Sequence, residues 1–135
     1  MRHDIAALIL VLAIGIGGCA SATTSETPVS ITDVKQLSGH WTGWVFRPQV
    51  SASTVTTIRP DGTFTASTIY AGTSDVYGTV SVKDGKARYQ VSERQPSGPF
   101  VTPTGTLQLY ENGGKRVLRG KSDDGLVTFD ATLVQ

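Results

Sequence analysis

From about residue 37 to the end of the chain, apolar and polar residues alternate with a period of two, and no stretch shows the 3.6-residue period of a helix. Phe64, Ala66, Thr68 and Tyr70 fall on one side of a strand, and Val76, Gly78, Val80 and Val82 on one side of the next. Ala87, Tyr89 and Val91 alternate with Arg88, Gln90 and Ser92, and Leu107 and Leu109 with Thr106, Gln108 and Tyr110. Val127, Phe129, Ala131 and Leu133 alternate with Thr128, Asp130 and Thr132. Counting such runs between turn signals predicts eight strands, at 39–46, 53–59, 63–70, 76–82, 86–92, 105–111, 116–120 and 126–134. Pro60-Asp61-Gly62, Lys83-Asp84-Gly85 and Asn112-Gly113-Gly114 are tight hairpin turns, because Gly and Asn tolerate positive φ. Every link is too short for a parallel crossover, so neighbours in sequence run antiparallel. One dry face per strand, with edges that need protection, predicts an all-β fold. Its expected form is an eight-stranded antiparallel up-and-down β-barrel, with an open β-sandwich as the alternative.

In a meander, successive links alternate between the two ends. The three glycine turns share the end where Trp41 starts the first strand, while the links at 47–52, 71–75, 93–104 and 121–125 gather at the other. One end is therefore expected to be shut and the other to carry the longer loops. The inward positions mix large residues (Phe64, Tyr70, Tyr89, Leu107, Leu109, Phe129) with small ones (Ala66, Gly78, Ala87, Ala131). An eight-stranded barrel is wide enough to be filled by side chains or to hold one small ligand. The small residues suit a cavity, or equally suit large neighbours across the barrel. In the first case Phe64, Tyr70, Tyr89 and Phe129 are the candidate ligand-facing side chains. The 93–104 link carries Pro96, Pro99 and Pro103 around Phe100, a candidate loop contact for a ligand or a protein.

The amino terminus has a different pattern. Arg2 precedes an apolar run at 5–16 and then Gly17-Gly18-Cys19, the layout of a secretory signal. The run is shorter than the roughly 20 residues that a spanning helix needs. Ile16-Gly17-Gly18-Cys19 resembles the lipobox of bacterial lipoproteins. That resemblance implies cleavage before Cys19, diacylglycerol on its sulfur and acylation of the new amino terminus. Two or more chains anchor stably where one does not. The organisation expected is a signal at 1–18, a lipidated cysteine and flexible tether at 19–33, and a β-barrel domain at 34–135. The Ser/Thr-rich segment 20–30 would span on the order of 20 Å as a coil. Ala20 after the cysteine resembles the pattern sorted to the outer membrane, so the expected partner is the membrane through Cys19. This is the sole cysteine, which leaves the exported domain without a disulfide.

Leu37-Ser38-Gly39-His40-Trp41, at the head of an eight-strand meander, resembles the lipocalin and calycin group and, more loosely, avidin. The resemblance implies that Trp41 packs across the closed end beneath a basic side chain from a late strand. The last strand ends Leu133-Val134-Gln135, without such a residue, which leaves Arg116 as the candidate. Lys86-Ala87-Arg88-Tyr89 resembles part of a lysozyme-inhibitor motif, whose remainder and cysteines are missing. A net charge of +1 with no basic stripe excludes nucleic acid as an expected partner. His40 has no companion ligand, and Asp75, Asp84, Asp123 and Asp124 fall in links where Asp serves local hydrogen bonding. No metal, no cofactor and no enzymatic activity are expected. The reading is a lipid-anchored envelope protein that binds a small apolar or amphipathic ligand. A protein-interaction or inhibitor-type module acting through its loops, or a structural lipoprotein, are the alternatives.

Overall fold

The computed structural model describes residues 25–70, 72–95 and 103–135. Eight strands close into an antiparallel meander: β2 (Gly39–Arg47), β3 (Val50–Ile58), β4 (Thr63–Ile69), β5 (Thr73–Lys83), β6 (Lys86–Gln95), β7 (Thr104–Asn112), β8 (Lys115–Ser122) and β9 (Thr128–Leu133). Each pairs with its neighbour in sequence, and β9 pairs back onto β2 with Trp41 opposite Leu133 and Phe46 opposite Thr128. The barrel expectation holds, and the open sandwich is excluded by that last seam. Alternation works as read from the sequence: Val76, Gly78 and Val80 on β5 and Leu107 and Leu109 on β7 are buried, while Thr79, Thr106 and Gln108 are exposed.

The glycine turns sit at one end as expected. Asp84 and Gly85 have φ of 53° and 72°, and Gly113 and Gly114 of 56° and 81°. Two consecutive positive φ values give the turn whose twist matches that of the paired strands. Most links at the other end are shorter than the sequence suggested. Pro48 and Gln49 alone join β2 to β3, because Val50–Ala52 stay in register with Arg47–Val45. Similarly, β5 begins at Thr73, whereas the β8–β9 link keeps its length but shifts to 123–127, because β8 runs on to Ser122 and β9 begins at Thr128. Backbone pairing satisfies the amides of these polar stretches, which composition had marked as loop.

A second correction concerns the tether. Residues 27–33, assigned to it from composition, belong to the folded unit. Thr27–Val29 form an outer strand, β1, opposite Glu111, Tyr110 and Leu109 of β7. The β6–β7 seam runs only from Ala87–Leu107 to Gln90–Thr104. Beyond it the edge of β7 would be bare, and β1 covers it. Pro28 is acceptable because β1 is an edge strand. The segment is clasped by Arg119, whose Nη2 donates to Glu26 Oε1 at 2.8 Å and whose Nε donates to Asp130 Oδ2 at 2.9 Å. The Arg119 guanidinium also lies 5.0 Å from the Tyr110 ring centroid.

Between β1 and β2, Val34–Leu37 make one 3₁₀ turn that plugs the closed end. Asp33 accepts from the Lys35 amide, and Gln36 Oε1 accepts from the Asp33 amide, both at 2.9 Å. This reciprocal capping box sets the direction of the turn. Leu37 and Trp41 are wholly buried and, with Leu109 and Leu118, fill the lower half of the barrel.

Candidate ligand cavity

The upper half is not filled. A cavity of about 110 Å³ lies inside the barrel toward the end opposite the glycine turns. Its floor is set by Ile58, Phe64 and Leu107, its walls by Tyr89, Val91 and Phe129, and Val45 and Val127 stand nearer the mouth. Val45, Val127 and Ala52 form a small apolar cluster of their own at that end. No Lys, Arg, His, Asp or Glu lines the cavity.

Glycines decide how the walls are built. Gly78 faces Phe64 across β4–β5, Gly105 faces Tyr89 across β6–β7, and Gly120 faces Phe129 across β8–β9. A Cβ at Gly78 would stand 2.6 Å from the Phe64 ring, and one at Gly105 would collide with the ring of Tyr89. Each aromatic side chain therefore lies over a bare stretch of neighbouring backbone. Of the small inward residues read from the sequence, Gly78 accommodates a large partner while Ala66 lines the cavity, so both uses the sequence left open occur.

The cavity has one polar wall. Thr54 and Thr56 on β3 and Thr68 on β4 point inward and are 3%, 7% and 7% exposed. Thr54 is the direct cross-strand partner of Thr68, and Thr56 lies opposite Ala66. Among the described residues, these three hydroxyls have no hydrogen-bond partner. No described side-chain oxygen or nitrogen is both sealed from solvent and unpartnered, so the hydroxyls keep contact with the cavity space. Sequence alternation placed Thr68 inward but did not single out Thr54 and Thr56. The run Ser53-Thr54-Val55-Thr56-Thr57 is polar on both sides, and register is weakly specified in such a strand.

The other candidates fall as follows. Phe64, Tyr89 and Phe129 line the cavity. Tyr70 does not: β4 ends at Ile69, and Tyr70 lies on the rim beside Pro48, Val50 and Leu126. Trp41 is buried at the closed end, with Nε1 donating to the Leu37 carbonyl at 2.9 Å. Arg116 reaches the same end, where Nη1 makes a long bond of 3.4 Å to the Gln36 carbonyl and Nε one of 3.4 Å to Glu111. It holds the 3₁₀ turn rather than the indole ring. His40 is on the outer face, its Nδ1 2.9 Å from Thr57 Oγ1. Cys19 and Phe100 lie outside the described residues.

At the open rim, Asp123 accepts from Thr104 Oγ1 at 2.6 Å and pairs with Arg88. The Thr104 hydroxyl, then Arg88, hold its carboxyl below the ordinary value of 3.8. Asp124 is lowered by the Ser122 hydroxyl and the Leu126 amide. These bonds pin the β8–β9 link beside the mouth and leave the cavity itself uncharged. Among the described residues, no helix is long and apolar enough to cross a membrane, and no group of three or more His, Cys, Asp or Glu is placed to hold a metal. No family model matches the chain, and comparison with curated proteins and with solved structures gave no match.

Proposed function

We propose that this protein is an envelope lipoprotein, tethered through Cys19 to the membrane, whose barrel holds a small apolar or amphipathic ligand in its upper half. The observation that carries the reading is the cavity, apolar except for one wall, in a barrel whose lower half is packed. At about 110 Å³ it falls below the several hundred Å³ of pockets that enclose drug-sized ligands. It is somewhat smaller than an engineered apolar cavity of about 150 Å³ that admits benzene. A ligand thus enters whole only if it is very small, or enters by one end with the rest at the mouth.

Native mass spectrometry of the full chain extracted from envelope membranes tests this. The expected spectrum shows cleavage before Cys19, an acylated cysteine, and a further discrete mass that denaturation removes. A lipoprotein mass with nothing added, unchanged after supplementation with envelope lipid extract, would sink the ligand reading.

A second reading, contact with an envelope protein, is favoured by the outer wall. Trp44, Phe46, Val55 and Ile69 are exposed there on adjoining strands β2, β3 and β4. Apolar side chains grouped on a surface mark contact sites more often than isolated ones do. A co-purifying polypeptide, lost on Trp44→Ser substitution, is its expected signature.

A further inference from the structure

Toward the mouth, the wall formed by β3 and β4 turns three polar side chains inward, although nearer the closed end the same strands bury Ile58 and Phe64. Hydrophobic residues belong inside and polar ones outside in a barrel with one wet face. Here Thr54, Thr56 and Thr68 face inward, while Val55 and Ile69 face outward at 49% and 59% exposure. Three inward hydroxyls grouped on one cavity wall are a local breach of patterning, and such a breach points to a functional position. The three threonines are more than nine-tenths buried, their hydroxyls lack partners among the described residues, and they sit together: Thr54 and Thr68 are paired across the strands, and Thr56 is two residues further along. Ala66, opposite Thr56, leaves room beside them. Each hydroxyl can both donate and accept. A purely hydrocarbon ligand would cover these groups without bonding them, and leaving buried polar groups unmade is unfavourable. A charged group would enter a space without a counter-charge, at a greater cost in lost hydration.

We infer that the cavity selects a neutral oxygen compound, an alcohol or carbonyl compound with a short carbon skeleton or such a group at the end of a longer one. Its oxygen docks on Thr54, Thr56 and Thr68, and its carbon skeleton lies against Tyr89, Val91 and Phe129. The inference rests on the ligand-binding reading above and narrows it from apolar or amphipathic to neutral and hydrogen-bonding.

The test titrates the full chain, held in lipid nanodiscs, with cyclopentanol, cyclopentane, cyclopentylammonium and cyclopentanecarboxylate. Methyl NMR shifts of Thr54, Thr68 and Val91 locate the binding, and empty nanodiscs correct for partitioning. Cyclopentanol is expected to bind about tenfold tighter than cyclopentane, the worth of one or two net hydrogen bonds. Neither ion should give a saturable shift. In the Thr54→Val, Thr68→Val double variant, which keeps the shape and β-branching of both side chains and leaves only the Thr56 hydroxyl, that preference should fall several-fold while cyclopentane binds as well or better. Equal binding of cyclopentanol and cyclopentane to the native chain would overturn the polar-wall inference and leave the cavity reading standing. Saturable binding of either ion would overturn neutrality. Absence of any saturable shift would remove both readings together. The native chain alone discriminates these outcomes should the variant fail to fold.

Discussion

Gly78 and Gly105 show why a residue without a side chain can be a packing element. Each lets an aromatic ring, Phe64 or Tyr89, pack against the neighbouring strand. Gly78→Ala should therefore act as overpacking, because the added Cβ would collide with the Gln90 carbonyl oxygen on β6 as well as with the Phe64 ring. The expected loss is about 2 kcal/mol, within the usual range for such insertions, read as a lower urea midpoint with an unchanged slope. The inward position of Gly78 was legible from period-two alternation. Its partner was not, since strand register depends on where each hairpin turn falls. The threonines show the opposite case. Thr54 and Thr56 sit in a run where every residue but Val55 is Ser or Thr, so hydropathy supplies no direction. Only the pairing of β3 with β2 and β4 turns them inward.

At the scale of elements, ties between strands and links matter more than length. Asp123 connects the β8–β9 link to β7 through Thr104 and to β6 through Arg88. Asp61 and Asp124 make comparable bonds, to Thr63 and to Ser122 and Leu126. All three carboxyls titrate lower in the folded chain than the ordinary 3.8, so the unfolded chain binds protons more readily. Their contribution to stability is complete above the unfolded value, and it drains as pH falls through the folded values. Thermal melts should accordingly lose stability below about pH 4, and Asp123→Asn should flatten part of that acid limb while lowering the melting temperature at neutral pH. An acid limb identical in variant and native chain would show that this tie contributes nothing. The eight barrel strands and the glycine turns were legible because alternation and turn chemistry agree. The outer strand was not, because Thr27-Pro28-Val29 is too short for a periodic signal and sits in a Ser/Thr-rich segment. The capping box Asp33-Val34-Lys35-Gln36 was the one local signal that structure begins before residue 34.

Across the whole molecule, the barrel divides into a packed half sealed by Leu37 and Trp41 and an open half with an uncharged cavity. Filling that space should separate folding from function. Ala66→Leu places three more carbon atoms beside Thr56, where the void accepts them. Its expected effect is a melting temperature equal to or above that of the native chain, because removing a void restores lost contacts. Calorimetric binding of cyclopentanol should be abolished. Retained binding with raised stability would place the ligand elsewhere on the molecule. By itself, the sequence determined the strand class, the antiparallel order, the gathering of the glycine turns at one end and most inward faces. Those follow from local quantities: a period of two, turn residues with positive φ, and links too short to cross over. Only the tertiary structure decided the seam between β9 and β2, the use of Thr27–Val29 as an outer strand, the aromatic–glycine pairs and the threonine wall. Each of these depends on the register of strands that meet only when the barrel closes, and closure is a property of the whole sheet rather than of any segment.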